Sequence, residues 1–240
     1  RRLCHQQALA RERGYSLSLI RELEQLMLRS HRQLYRQQSP LWSRLGGLIR
    51  RDFPRRVREQ GRWNLVSALV FVGAATLVSA LVHQRPDMVH TVLDAQTTQN
   101  LEQNFSAEQR PDRSSADDLR MFGFYIMNNI GVAFRSFASG LFLGIGSLFI
   151  MLFNGAYLGA ASAHLVNVEQ AQPFFSFIIA HGAPELTAIV LAGGAGLRLG
   201  WALVAPGQRR RLDALREAAL KTLPVIYGVI LLLLAAAFIE

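Results

Sequence analysis

Seven polar side chains stand where the sequence around them is apolar: Asn128, Asn129, Arg135, Asn154, His181, Glu185 and Arg198. In water they would be unremarkable. Among apolar residues they matter, because an ionised carboxylate in hydrocarbon costs several kcal/mol unless it is neutralised or paired. His181 and Glu185 are four apart, so a continuous helix puts them on one face. Three chemistries use such a pair. As metal ligands they supply only two donors, with no third Cys, His or acidic residue beside them. As a proton relay or ion path they would sit near the membrane midplane, as transporter sites do. As a structural network they would hold helices in register through amide and carboxylate hydrogen bonds. The pattern favours the network and leaves the other two open.

The elements that must position these groups are long uncharged runs. Trp63 to Val82 carries no charged side chain, Ser136 to Val168 has His164 as its one group that can gain charge near neutral pH, and Thr222 to Ile239 is again uncharged. A hydrocarbon core of about 30 Å needs about 20 apolar helical residues to cross it. The chain therefore reads as an all-α, polytopic helical membrane protein with a basic N-terminal helical region. Residues 1–61 form that region, and residues 62–240 form the transmembrane domain, with an extracytoplasmic loop at 84–120.

Charge sets the expected orientation. Residues 1–62 hold fifteen Arg and five acids, residues 84–120 hold four Arg and seven acids, and residues 205–221 hold five basic residues and two acids. Basic flanks stay on the cytoplasmic side. Residues 1–62 and 205–221 are thus expected inside and 84–120 outside, in a bacterial cytoplasmic (inner) membrane. An odd number of crossings must separate 84–120 from 205–221. Residues 121–137, 138–166 and 173–204 supply three, giving about five spans in all. Asn128, Asn129, Asn154, His181 and Glu185 then fall at similar depth as an intramembrane polar cluster, while Arg135 and Arg198 lie towards the cytoplasmic side. At 1.5 Å per residue, 173–204 reaches about 48 Å, longer than the core. Gly182-Ala183-Pro184 lies inside it, so this segment is expected to be a broken helix or a re-entrant hairpin.

The flanks are simpler. Leu19, Leu23, Leu26 and Leu34 recur near helical spacing, with Gly14 dividing the front into two helices. Trp42 to Arg62 mixes Arg with Trp42, Leu45, Leu48, Ile49 and Phe53, the make-up of an amphipathic helix on an anionic leaflet. Within the outer loop, Asp87 to Leu101 is expected to form short helices and Ser106 to Asp118 a flexible loop. Gly140 with Gly144, Gly155 with Gly159 and Gly196 with Gly200 are spaced by four, which lets helix backbones approach closely. Cys4 is the single cysteine, so no intrachain disulfide can form. The chain starts without Met and ends at Glu240 directly after an apolar run, so it is expected to be a piece lacking its true termini.

Soluble-enzyme signatures are missing. There is no phosphate loop, nucleophile elbow or paired zinc cysteines, and Gly193-Gly194-Ala195-Gly196 lies within an apolar helix rather than after a strand. An intramembrane enzyme would have to use His181 and Glu185.

Several segments together carry a resemblance. They are Phe124-Tyr125-Ile126-Met127-Asn128-Asn129-Ile130 with Arg135 and Phe137, and Asn154-Gly155-Ala156-Tyr157-Leu158-Gly159. To these add His181-Gly182-Ala183-Pro184-Glu185-Leu186 and Ala192-Gly193-Gly194-Ala195-Gly196-Leu197-Arg198-Leu199-Gly200. Over roughly residues 60–240 the chain resembles the stage II sporulation protein M family, in the version found in bacteria that do not sporulate. The resemblance implies an all-helical membrane protein with no established enzymatic activity. In spore formers the namesake recruits and scaffolds peptidoglycan-degrading partners during engulfment. Non-sporulating relatives are often encoded near small membrane proteins and MoxR-type ATPases. The long basic front departs from the namesake, which implies a different cytoplasmic partner.

The expectation is a non-enzymatic membrane scaffold or assembly protein, related to the cell envelope, with a transporter or channel-like protein as the alternative. No cofactor or metal is expected. The expected partners are the lipid bilayer, other membrane proteins or a cytoplasmic protein, and a second copy of the chain, with no nucleic acid.

Overall fold

The structure is a computed structural model describing residues 9–34, 45–105 and 115–239; within these, the side chains of residues 17, 29–34, 115–126, 177, 180, 181 and 239 lie outside the description. The chain forms two compact units, residues 1–46 and 47–240. The described residues are helical, with no strand among them.

In the first unit, α1 spans Leu17–Leu34. Gly14, at φ +66°, ends the preceding helical turns, a left-handed conformation that glycine adopts without strain. Leu19, Leu26 and Leu28 are exposed on α1. Residues 35–44, which include Trp42 at the start of the amphipathic stretch, lie outside the described residues.

The second unit begins with a wide π turn over Leu48–Asp52 that runs into α2, Phe53–Glu59. Pro54 sits just after the wide turn and has no N–H to donate to the carbonyl of Arg50, so loosened i→i+5 pairing fits there. Phe53 and Val57 pack against the cluster of Ala133, Ala188, Leu191, Ala192, Val225, Val229 and Leu233. Residues 47–61 fall within the second compact unit.

Helix α3 spans Gly61–Gln84. A 3-10 turn at Pro86–Thr91 and α4, Ala95–Phe105, follow it. Helix α5 runs Ser115–Ala138, and the 3-10 turn Ser139–Leu141 leads to α6, Ile145–Asn167. Helix α7, Ala171–Val204, and α8, Arg211–Ile239, complete the unit. Two expectations need correction. Residues 115–118 begin a helix rather than ending a loop; 106–114 lie outside the described residues. Helix α7 is continuous through Pro184, so it is neither broken nor re-entrant. A single proline removes one ladder bond, and the tight packing of the following turns against four neighbouring helices holds the rest.

Among the described residues, four helices are long and apolar enough to cross a membrane: Gly61–Gln84, Ile145–Asn167, Gly182–Val204 and Arg211–Phe238. Helix α5, in which the side chains of residues 115–126 lie outside the description, is not among them. Its 24 residues nonetheless extend about 36 Å, and Ala133 on it is buried in the central cluster.

Close contacts fix the relative directions of α3, α5, α6 and α7. Phe71 meets Gly155, Ala75 meets Gly159, and His83 Nδ1 lies 2.9 Å from Asn167 Oδ1, so α3 and α6 run parallel. The Trp63 and Trp201 rings meet at a tilt with centroids 5.5 Å apart, while the Ser67 hydroxyl donates to the Val190 carbonyl at 2.8 Å, so α3 and α7 run antiparallel. Gly140 abuts Gly196, and Ala133 shares a cluster with Ala188 and Ala192, so α5 and α7 run parallel. One end of the unit therefore gathers Arg62, the 139–144 turn, Trp201 and the 205–210 loop. The other gathers His83, Asn167 and the 85–105 segment. The basic stretches before α3 and after α7 share one end, as three passes between α3 and α8 require.

Candidate functional site

The interior of the membrane unit is built from small residues that let backbones touch. A Cβ on Gly155 would fall on the Phe71 carbonyl, on Gly159 on the Ala75 carbonyl, and on Gly140 on the Gly196 carbonyl. On Gly196 it would meet the Ser147 hydroxyl and the Ser136 carbonyl, and on Gly200 the backbone of Gly144. Gly144 itself is held by conformation, at φ +86°, where it caps α6. Hydroxyls satisfy the polar atoms left in this dry centre. Ser147 donates to the Ser136 carbonyl at 2.6 Å, and Ser136 donates to the Val132 carbonyl at 2.7 Å. Ser67, Ser136 and Ser147 are fully buried. Sequence reading passed over these serines because a lone Ser in an apolar run is common; their proximity to the glycine pairs was the available signal.

The larger polar groups are placed elsewhere. Asn128, Arg135 and Asn154 line one groove of about 400 Å³ between α5 and α6, with Val132, Phe149, Ile150, Phe153 and Tyr157. Asn128 donates from Nδ2 to Asn129 Oδ1 at 3.3 Å. Asn154 donates to its own helix, at Ile150, across 2.8 Å, and Arg135 Nε donates to Gly131 at 3.1 Å. These local bonds leave the Asn154 carbonyl and most of the Arg135 guanidinium to face the groove. Asn128 and Arg135 are exposed, as are Phe149 and Phe153. The groove thus opens on the outer surface of the bundle.

Glu185 does not line it. The register of Gly140 on Gly196 puts Asn129 level with Glu185 on the parallel helix, yet no hydrogen bond joins them among the described residues. Glu185 is half-buried. The His181 backbone is helical and its side chain lies outside the described residues. Hence Asn128, Asn129, Asn154, His181 and Glu185 do not form one hydrogen-bonded group among the described side chains. Helix α5 directs Asn128 outward with the α6 amide, because its opposite side is occupied by the Ala133 contact. No group of three or more His, Cys, Asp or Glu that could hold a metal occurs among the described residues.

Two polar clusters lie at the ends. At the basic end, Glu59 accepts from Arg55 Nε at 2.9 Å and Arg56 Nη1 at 2.6 Å. Arg56 first and then Arg55 hold its carboxyl below the usual carboxylate value. Arg198, on α7, has Glu59, Arg56 and Arg62 as its electrostatic neighbours. At the other end, His164 Nε2 lies 2.7 Å from Glu102 Oε1, fastening α4 to α6. This contact was not foreseen, since His164 read only as an interruption of an apolar run.

The family described as SpoIIM, stage II sporulation protein M, matches residues 67–240. The chain belongs to the stage II sporulation protein M family. The match spans nearly all of α3 and everything after it, so the groove, the glycine contacts and the His164–Glu102 contact all lie within the family region. Helices α1 and α2 precede it. No curated protein and no solved structure matches the chain. Together with four apolar helices, the family assignment makes this a multi-pass membrane protein.

Proposed function

We propose that this member of the stage II sporulation protein M family is a non-enzymatic scaffold of the bacterial cytoplasmic membrane, gathering partner proteins through the α5–α6 groove. The observation that carries the reading is the placement of Asn128, Arg135 and Asn154 on a surface groove rather than in the bundle centre. By helix rise, Asn128 lies about 15 Å from the end of α5 and Asn154 about 14 Å from the start of α6. Each amide is engaged only once, within its own helix, and a polar side chain on a neighbouring transmembrane helix can take up the bonding capacity that is left. The interior supports the same view. Backbone rests on backbone at Gly155, Gly159 and Gly196, a rigid arrangement suited to presenting a fixed surface.

The basic end, with Arg50 to Arg62 and Arg209 to Arg211, faces the cytoplasm in this reading, and the segment 85–105 faces outward.

A photo-reactive amino acid at Phe153, irradiated in native membranes, tests the proposal. The expected result is a discrete cross-linked partner, depleted several-fold by N128L/N154L, in which both amides become apolar. Cross-linking to lipid alone, or a partner indifferent to the double substitution, would overturn it.

A further inference from the structure

We propose a second site: Arg198, Arg62 and Arg56 bind the phosphate of an acidic phospholipid at the elbow between α2 and α3. The elbow is well anchored. Phe53 packs onto Gly228 of α8, Val57 joins the central cluster, and Gln60 is fully buried between the two helices. Gln60 Nε2 donates to Asn64 Oδ1 at 3.2 Å, and Asn64 donates to the Val57 carbonyl at 3.1 Å, which locks the bend. Against this elbow lies Arg198, whose Nη1 is buried with no hydrogen-bond partner among the described residues. A buried guanidinium N–H without an acceptor is costly, and it calls for an anion.

The one carboxylate in the neighbourhood does not meet the need. Glu59 is already engaged by Arg55 and Arg56. Arg62 and Arg198 thus add two guanidinium groups that make no ion pair with a carboxylate among the described residues. The excess is positive, and it is concentrated where α7 leaves the apolar layer. Two tryptophans mark that level. The Trp63 and Trp201 rings pack at a tilt with centroids 5.5 Å apart, and the Arg62 guanidinium lies 4.6 Å from the Trp63 ring centroid. Tryptophan concentrates at the headgroup layer, and basic pockets between helices on the cytoplasmic side take anionic headgroups. The shared chemistry is a phosphate oxyanion. The position at the tryptophan level favours one carried on a lipid over one free in solution.

The test uses the full chain purified in a neutral detergent. Melting temperature is followed while phosphatidylglycerol, phosphatidylcholine or inorganic phosphate is added. Phosphatidylglycerol should raise it, with the other two doing little. R198Q should weaken phosphatidylglycerol binding about tenfold, the loss expected for a charge-assisted hydrogen bond. R62Q, on an exposed residue, should weaken it too, and guards against misfolding of the first variant. R58Q, on the outer face of α2, should match the wild type. Equal stabilisation by both lipids, an equal effect of inorganic phosphate, or retention of the phosphatidylglycerol effect in both R198Q and R62Q would overturn the proposal.

Discussion

At the residue scale, the interior is decided by atoms that are absent. Gly196 sits against the Ser147 hydroxyl and the carbonyls of Ser136 and Phe137. Any side chain there must push apart α7 and the α5–α6 turn. G196V should therefore lower stability by about 3 kcal/mol or more, beyond the usual cost of an overpacked core. Gly73 offers the contrast, with nothing near its Cβ position on the outer face of α3. G73A should be neutral or stabilising by up to about 1 kcal/mol, since alanine is the better helix former. Melting curves in detergent read both. A G196V protein as stable as wild type would mean the glycine contact is not needed. The six glycines were visible in the sequence as pairs spaced by four. Which partner each pair meets was not, because spacing reports a helix's own face and not the helix opposite.

At the element scale, the segment after α3 is a docked cap. Val89 and Leu93 are buried against Val82, Ala160, Ala161 and Ala163, and Glu102 reaches His164. H164A should increase hydrogen exchange across α4 by several-fold while leaving α6 protected. Exchange unchanged in α4 would show that apolar packing alone holds it. The start of α4 is capped by Asp94, whose Oδ1 accepts from the Thr97 backbone N–H at 2.7 Å. That N–H first, and the Thr97 side chain next, hold the Asp94 carboxyl below its ordinary 3.8. A depressed carboxylate contributes stability above the ordinary value and loses it as pH falls through the lowered one. The first turn of α4 should thus loosen below about pH 4, with D94A, which removes the capping oxygen, already loosened at neutral pH and insensitive to acid. Exchange corrected for intrinsic rate distinguishes the two. Short helices over 87–101 were legible from composition. Their docking was not, because Val89, Leu93 and His164 are close only after α3 and α6 lie side by side.

At the scale of the whole molecule, helix direction settles the topology of the passes. Helices α3 and α6 are parallel, as are α5 and α7, so both basic stretches of the membrane unit share an end. Orientation can be checked by cysteine labelling in a Cys4→Ser background. Gln208→Cys should react with an impermeant maleimide only in inverted vesicles, and Gln96→Cys only in right-side-out cells. Labelling of both from the same face would refute the passes, and the reverse pattern would refute the cytoplasmic placement of the basic end.

The amino-acid sequence by itself determined that the protein is helical and membrane-embedded, which end of each span is basic, and where backbones can approach. These follow from local properties: run length without charge, the position of arginines, and the missing side chains of glycine. Only the tertiary structure decided where the polar groups point. Asn128 and Asn154 share depth with Glu185 to within a few residues, and depth is what a sequence reports. Facing direction depends on which side of α5 packs against Ala188 and Val229, and that choice is made jointly by α5, α7 and α8. The same reason explains the continuous α7: Pro184 weakens its own turn, while contacts from distant parts of the chain keep the axis whole.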